Sequence, residues 1–239
     1  MTSDSMVIPR RFNGPPHSGN GGYVCGCLAQ YVAGPARVRL RMPPPLEKEL
    51  LVEATGDEAR LFDQDQLVAD ARRVELSLDP PALPTFAQAQ AASKTYAGFV
   101  RHLLPTCFVC GPQRAEGDGL RIFPGPLADE TLLAAPWVPH ESLADDSKRV
   151  LPEFLWAALD CAGAFAVLPP DDGLILLGEL CARLDGSVEV GERCVVVAWP
   201  LGVDGRKRFA GTAILSASGA AVAVARATWI ELPAARQEQ

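Results

Sequence analysis

Asp160 stands in the middle of residues 151–168, LPEFLWAALDCAGAFAVL, the longest apolar stretch of the chain. A carboxylate there is costly to desolvate unless it is paired or put to use. It reads either as a general base on water or a direct nucleophile, or as a structural carboxylate held by a buried donor. The second group is Asn20-Gly21-Gly22, at the expected opening of a helix. The free N–H groups and the positive dipole end of such an opening suit the polarising of a carbonyl and the holding of its oxyanion. The same glycines would equally let two helices touch. His17, just before that helix, reads as a loop residue beside Pro15-Pro16 or as a proton carrier.

Cys107 and Cys110 form the only Cys-x-x-Cys among seven cysteines. A closed zinc site needs four ligands, the nearest third is His102, and no second pair follows. The expectation is therefore buried thiols in a tight turn and no metal, with redox work as the other use. Arg37, Arg39 and Arg41 share a strand face, and Arg206-Lys207-Arg208 follow a turn. Either set could meet phosphates, though solvated charge is the plainer reading. Gly-x-Gly-x-x-Gly, P-loop and Gly-x-Ser-x-Gly spacings are absent, so neither a nucleotide cofactor nor a nucleophile elbow is supported, and no cofactor is expected.

These residues need elements to hold them. Pro152 and Glu153 suit a first helical turn, and Phe154, Leu155, Ala158, Cys161, Ala162 and Phe165 recur at three- and four-residue spacing. The spacing predicts one buried helix over 151–168. Its length touches the lower edge of a membrane span, but Glu153, Asp160 and the following Pro-Pro-Asp-Asp argue for a core helix. Ser18 or Asn20 can cap a helix from Gly21, with Val24, Cys27, Leu28 and Tyr31 on one face. Period-two alternation over 37–42 predicts a half-buried strand, with further strands at 49–54, 60–63 and 67–76. Residues 1–6 read as a frayed tail, 7–12 as a short strand and 86–104 as a short helix. The second half repeats this pattern: a strand at 131–137, the helix, then strands at 178–184, 193–200, 209–216 and 221–232. Local matches carry the repeat, such as VADARRVEL at 68–76 against VARATWIEL at 224–232. The expected divisions are 1–78, a linker at 79–129, and 130–239.

The totals narrow the partners. A net charge of −7 with no basic run argues against nucleic acid, and no apolar N-terminal core suggests a signal peptide or membrane anchor. Seven scattered cysteines fit reduced thiols in a cytoplasm.

Asn20-Gly21-Gly22 followed by Ala29-Gln30 resembles the helix start of hotdog-fold thioesterases. The stretches LVADAR at 67–72 and VAVARA at 222–227 resemble that fold's last strand, and the duplication is similar to the double-hotdog branch typified by acyl-CoA thioesterase II. The resemblance implies an α+β tandem (double) hotdog, with two long helices packed on a curved antiparallel sheet. Cys107-Phe108-Val109-Cys110-Gly111-Pro112 with Gly119-Leu120 is similar to a stretch seen near some hotdog domains. The resemblance also implies an acyl-CoA thioesterase-like hydrolase that cleaves an acyl thioester, on coenzyme A or an acyl carrier protein, and it allows a homodimer of double hotdogs. The catalytic aspartate of that branch falls on Asp160. The hydroxyl partner it pairs with falls on Thr212 or Thr228, whereas the glutamine has no counterpart between Gln113 and Gln237. Two alternatives follow: a dehydratase or hydratase using His17 with Asp160, and a non-catalytic acyl-thioester binder. On the hydrolase reading, Gly21, Gly22 and Asp160 line one cavity, and Asp160 has a raised pKa.

Overall fold

A computed structural model describes residues 2–128, 131–169 and 173–232. Its frame is one eleven-stranded sheet in which all paired neighbours run antiparallel. The first half supplies β1 (Thr2–Val7), β2 (Ala36–Leu40), β3 (Glu49–Ala54), β4 (Glu58–Asp63) and β5 (Gln66–Arg73). The two-residue β6 (Gly125–Pro126) is followed by β7 (Leu133–Trp137), β8 (Ile175–Leu184), β9 (Cys194–Asp204), β10 (Lys207–Leu215) and β11 (Ala221–Glu231). From either edge inward the order repeats: β1-β3-β4-β5-β2 on one side, and β7-β9-β10-β11-β8 on the other, with β6 added outside. The halves meet where β2 pairs with β8, Val38 opposite Leu180 and Arg39 opposite Glu179. Each half-sheet would otherwise present a bare edge there, and pairing removes both.

The helices on the inner face differ from the two long ones expected. α1 (Gly21–Ala29) is nine residues long, and the apolar stretch is split into α3 (Pro152–Ala158) and α4 (Cys161–Ala166). Apolar spacing alone could not reveal the break, because both pieces bury the same face. Leu159 and Asp160 leave the helical path, Asp160 at φ −82° and ψ −84°. The Leu159 carbonyl, released from the helix ladder, accepts instead from the Thr212 hydroxyl at 2.8 Å.

The N-terminus also corrects the sequence reading. Residues 2–7 are not frayed but form β1, in register with β3. The chain then turns at Pro9 into a 3-10 turn, Arg10–Phe12, where a strand was expected. Proline cannot donate to a sheet ladder, so the strand ends before it. The expected linker helix is shorter than 86–104: α2 (Phe86–Ser93) is closed by a Thr85–Gln88 capping box and followed by a 3-10 turn, Ala97–Phe99. The linker boundary at 129/130 lies outside the described residues.

α2 explains a second feature of the sequence. Val195, Val197 and Trp199 pack with Ala89 on the outer face of the sheet, while Cys194, Val196 and Ala198 face the main core. A strand covered on both sides reads as a continuous apolar run rather than an alternating one, as Cys194 to Trp199 does. None of the helices among the described residues is long and apolar enough to cross a membrane.

Candidate functional site

Two glycines fix the site by letting backbones approach. A Cβ at Gly22 would lie 2.5 Å from the Asp160 Cβ and 2.8 Å from the Trp156 carbonyl oxygen. One turn on, a Cβ at Gly26 would lie 2.6 Å from the Glu153 Cα. Both are closer than real Cβ contacts, so α1 and α3 cross with almost nothing between them. Gly21 faces the sheet instead, where a Cβ would meet Leu177 at 2.8 Å.

That close crossing brings the start of α1 onto the Asp160 carboxylate. Gly22 N–H donates to Asp160 Oδ2 at 2.9 Å, and the Asn20 side-chain amide donates to the same oxygen at 2.8 Å. Asn20 is at the same time the helix cap, its Oδ1 accepting from Tyr23 N–H at 2.9 Å. The cap therefore fixes the orientation of the amide that reaches Asp160, 140 positions away. Asp160 is 2% exposed, and its other oxygen, Oδ1, is buried without a hydrogen-bond partner. Burial pushes its pKa up to about 7, against the Gly22 N–H and the Asn20 amide, which pull it down. The direction agrees with the sequence expectation.

The remaining expected residues do not all converge. The Thr212 hydroxyl is fully buried but bonds the Leu159 carbonyl, so it holds the helix break that turns Asp160 toward α1. Thr228 sits half-buried on β11 opposite Glu179 and Phe209, on a strand of the sheet rather than at the α1–α3 crossing. His17 is exposed in the loop ahead of α1, and the partners of Asp160 are Asn20 and Gly22. The arginines weighed between phosphate contact and solvated charge pair with acids: Arg39 with Glu179 at 2.7 Å, Arg41 with Asp70 at 2.5 Å and Arg208 with Glu231 at 2.8 Å.

Thr212→Val tests the helix break. It keeps the shape and leaves a buried carbonyl without its donor, which costs about 1–3 kcal/mol. The expected result is a fall in the urea midpoint with an unchanged slope; an unaltered midpoint would show that the Leu159 carbonyl does not depend on this hydroxyl.

Beside the carboxylate lies a cavity of 380 Å³ whose wall includes His102, Leu104, Cys161, Phe165, Ile175 and Trp229. Gly21, Gly22 and Asp160 are not in that wall, contrary to the expectation of one shared cavity. Asn20 and the sulfurs of Cys107 and Cys161 lie between, because the Asn20 amide nitrogen is 3.9 Å from one sulfur and 3.8 Å from the other. Burial lowers the His102 pKa, and its Nε2 is buried without a partner, as is Trp229 Nε1. A larger groove of 720 Å³ lies at Pro35, Asp57, Arg72 and Glu75, and none of the expected site residues lines it.

No family model matches the sequence, and no curated protein matches it. Solved structures do. A Thermobifida fusca protein provisionally named thioesterase II superposes with a TM-score of 0.61 at 14% identity, covering 98% of this chain and 93% of that one. The tesB protein of Mycobacterium avium subs paratuberculosis gives 0.61 at 12% identity, over 97% and 93%. A provisionally named thioesterase of Novosphingobium aromaticivorans gives 0.59 at 12%, over 97% and 96%. The chain has a thioesterase-like fold. Coverage of nearly the whole of both partners means that the likeness runs over the whole chain, while identities this low speak for the fold alone.

Cys161 and Trp229 were not recognised as site residues in the sequence, whereas Asn20 was, though not for the amide bond it makes to Asp160. The one available signal was that Cys161 directly follows Asp160. Apolar spacing had assigned it to the core face, where it also belongs.

Proposed function

We propose that this protein is an acyl-thioester hydrolase built as a tandem hotdog, with Asp160 as its base. One observation carries the reading: two N–H donors from the opposite half grip Asp160 by Oδ2 and leave Oδ1 buried and unpartnered. A purely structural carboxylate would be expected to fill both oxygens. In the reaction, Gly22 N–H passes from the carboxylate to the thioester carbonyl, whose oxygen gains charge in the transition state. Water attacks the carbonyl carbon and its proton moves to Oδ1. The C–S bond breaks, the departing sulfur takes that proton, and an acid and a thiol leave. The apolar cavity beyond Cys161 is within the size range of ligand pockets and would take the acyl chain. The substrate carrier is coenzyme A or an acyl carrier protein.

A second reading, a non-catalytic thioester binder, is favoured by the engagement of Gly22 N–H and the Asn20 amide with Asp160 itself. Hydrolysis of a panel of acyl-CoA thioesters of increasing chain length, followed by chromatography of acid and thiol, separates the two. Release of free coenzyme A from at least one chain length is the expected result. Binding of thioesters without turnover favours the binder, and neither binding nor turnover sinks both.

A further inference from the structure

Apart from the carboxylate, the densest reactive chemistry in the chain is sulfur. Cys107 and Cys110 come from the linker and Cys161 from the start of α4, and their sulfurs all lie within 4.8 Å of one another. The Cys107 and Cys161 sulfurs are 3.7 Å apart. Two thiolates on one tetrahedral zinc, with bonds of about 2.3 Å, stand about 3.8 Å apart. The Cys107 and Cys161 sulfurs are thus spaced as ligands of one ion, and the Cys110 sulfur lies within 4.8 Å of both.

The backbone around them is built to match. The chain folds back over Cys107 so tightly that Gly111 N–H donates to the Cys107 carbonyl at 3.0 Å, and a Cβ at Gly111 would lie 2.5 Å from that oxygen. The turn is clamped from outside: Phe108 N–H to the Asn13 carbonyl at 2.8 Å, Leu120 N–H to the Phe108 carbonyl at 2.8 Å, and Ile122 N–H to the Val109 carbonyl at 3.0 Å. Phe108 packs edge-on against Phe12 at 4.9 Å, and Phe12 in turn stacks on Tyr23 of α1 at 4.2 Å. The Asn20 amide adds contacts to the Cys107 and Cys161 sulfurs. Thiolates buried this closely together require a cation.

We infer that Cys107, Cys110 and Cys161 are the ligands of a single zinc ion whose fourth position faces the 380 Å³ cavity. All three line that cavity, and no fourth ligating side chain joins the cluster among the described residues. The wall also carries His102, whose Nε2 is buried and unpartnered, so the open position has a nitrogen donor in its surroundings. Three protein ligands plus one exchangeable position is the pattern of a zinc that can take a ligand rather than of a closed structural site. The sequence expectation of no metal looked for a third ligand at His102; the fold brings the third sulfur from the opposite half. The inference is independent of the hydrolase reading, since a zinc site and a thioesterase activity can each be present without the other.

The test uses the full chain, purified under reductant, loaded with zinc and freed of excess by gel filtration. One zinc per chain is expected by elemental analysis. Cobalt substitution should give tetrahedral visible bands and a thiolate-to-metal charge-transfer band of three-thiolate intensity. Cys110→Ser and Cys161→Ser should lower zinc to background, while Cys194→Ser, in a strand away from the cluster, should leave it at one. If Cys161→Ser does not fold, the cobalt spectrum of the wild-type chain and Cys110→Ser decide the matter. Substoichiometric zinc, a cobalt spectrum without sulfur charge transfer, or full zinc retained in Cys107→Ser/Cys110→Ser overturns the inference. So does a disulfide within the cluster with no metal uptake after reduction.

Discussion

Asp160→Asn is expected to lower thioester turnover by about 100-fold or more, the usual scale for loss of a positioned general base. It should leave thioester binding in place. The substitution is well matched to the site. An asparagine oxygen in the place of Oδ2 can still accept from Gly22 N–H and the Asn20 amide. Its nitrogen then occupies the position of Oδ1, which has no partner to lose. The fold should therefore survive, and burial should become easier because no charge is involved. Thermal unfolding at or above the wild-type midpoint, together with lost turnover, is the result that assigns the base. If Asp160→Asn hydrolyses thioesters at the wild-type rate, Asp160 is a structural carboxylate and the base lies elsewhere. If turnover and thioester binding vanish together, the residue holds the site's shape rather than its chemistry.

The part of this site that was legible in the sequence is the part determined locally. Asn20 as cap follows from its short side-chain oxygen, and the glycines after it cost too much helix propensity to stand there without a reason. Asp160 stood out because a lone carboxylate in an apolar stretch needs an explanation. The strands were readable because period-two alternation survives wherever one face is wet, as in β3, where Leu50, Val52 and Ala54 are buried and Glu49 and Leu51 are exposed. What was not legible depends on tertiary partners. The helix break at Leu159–Asp160 rests on the Thr212 hydroxyl from β10, 53 positions away. The third sulfur joins Cys107 and Cys110 only because the linker folds over the start of α1. The cavity and Asp160 are separated by an Asn20 amide whose second set of contacts no local rule anticipates. The N-terminal strand was missed for the same reason: TSDSMV has no apolar alternation, and it is a strand because β3 offers it an edge.

Gly22→Ala is expected to damage both stability and catalysis, whereas Gly26→Ala should damage stability alone. Each adds one methyl at the α1–α3 crossing, and each methyl would meet backbone or Cβ atoms under 3.0 Å away. Alanine returns up to about 1 kcal/mol of helix propensity, but forcing atoms into a filled crossing costs about 1–3 kcal/mol or more. At a chain length of 239, each net kcal/mol lowers the melting midpoint by about 2–4 °C. The two sites differ in what the methyl strikes. At Gly26 it presses on Glu153 and the Trp156 Cβ, one turn away from the carboxylate. At Gly22 it presses directly on the Asp160 Cβ, and so must lengthen the 2.9 Å bond from Gly22 N–H that orients the base. Turnover per folded molecule should therefore fall in Gly22→Ala and persist in Gly26→Ala, measured at a temperature where both remain folded. Equal loss of specific turnover in the two variants would mean that the crossing acts only as packing. A Gly22→Ala chain with wild-type stability would mean that α1 and α3 do not approach as closely as described.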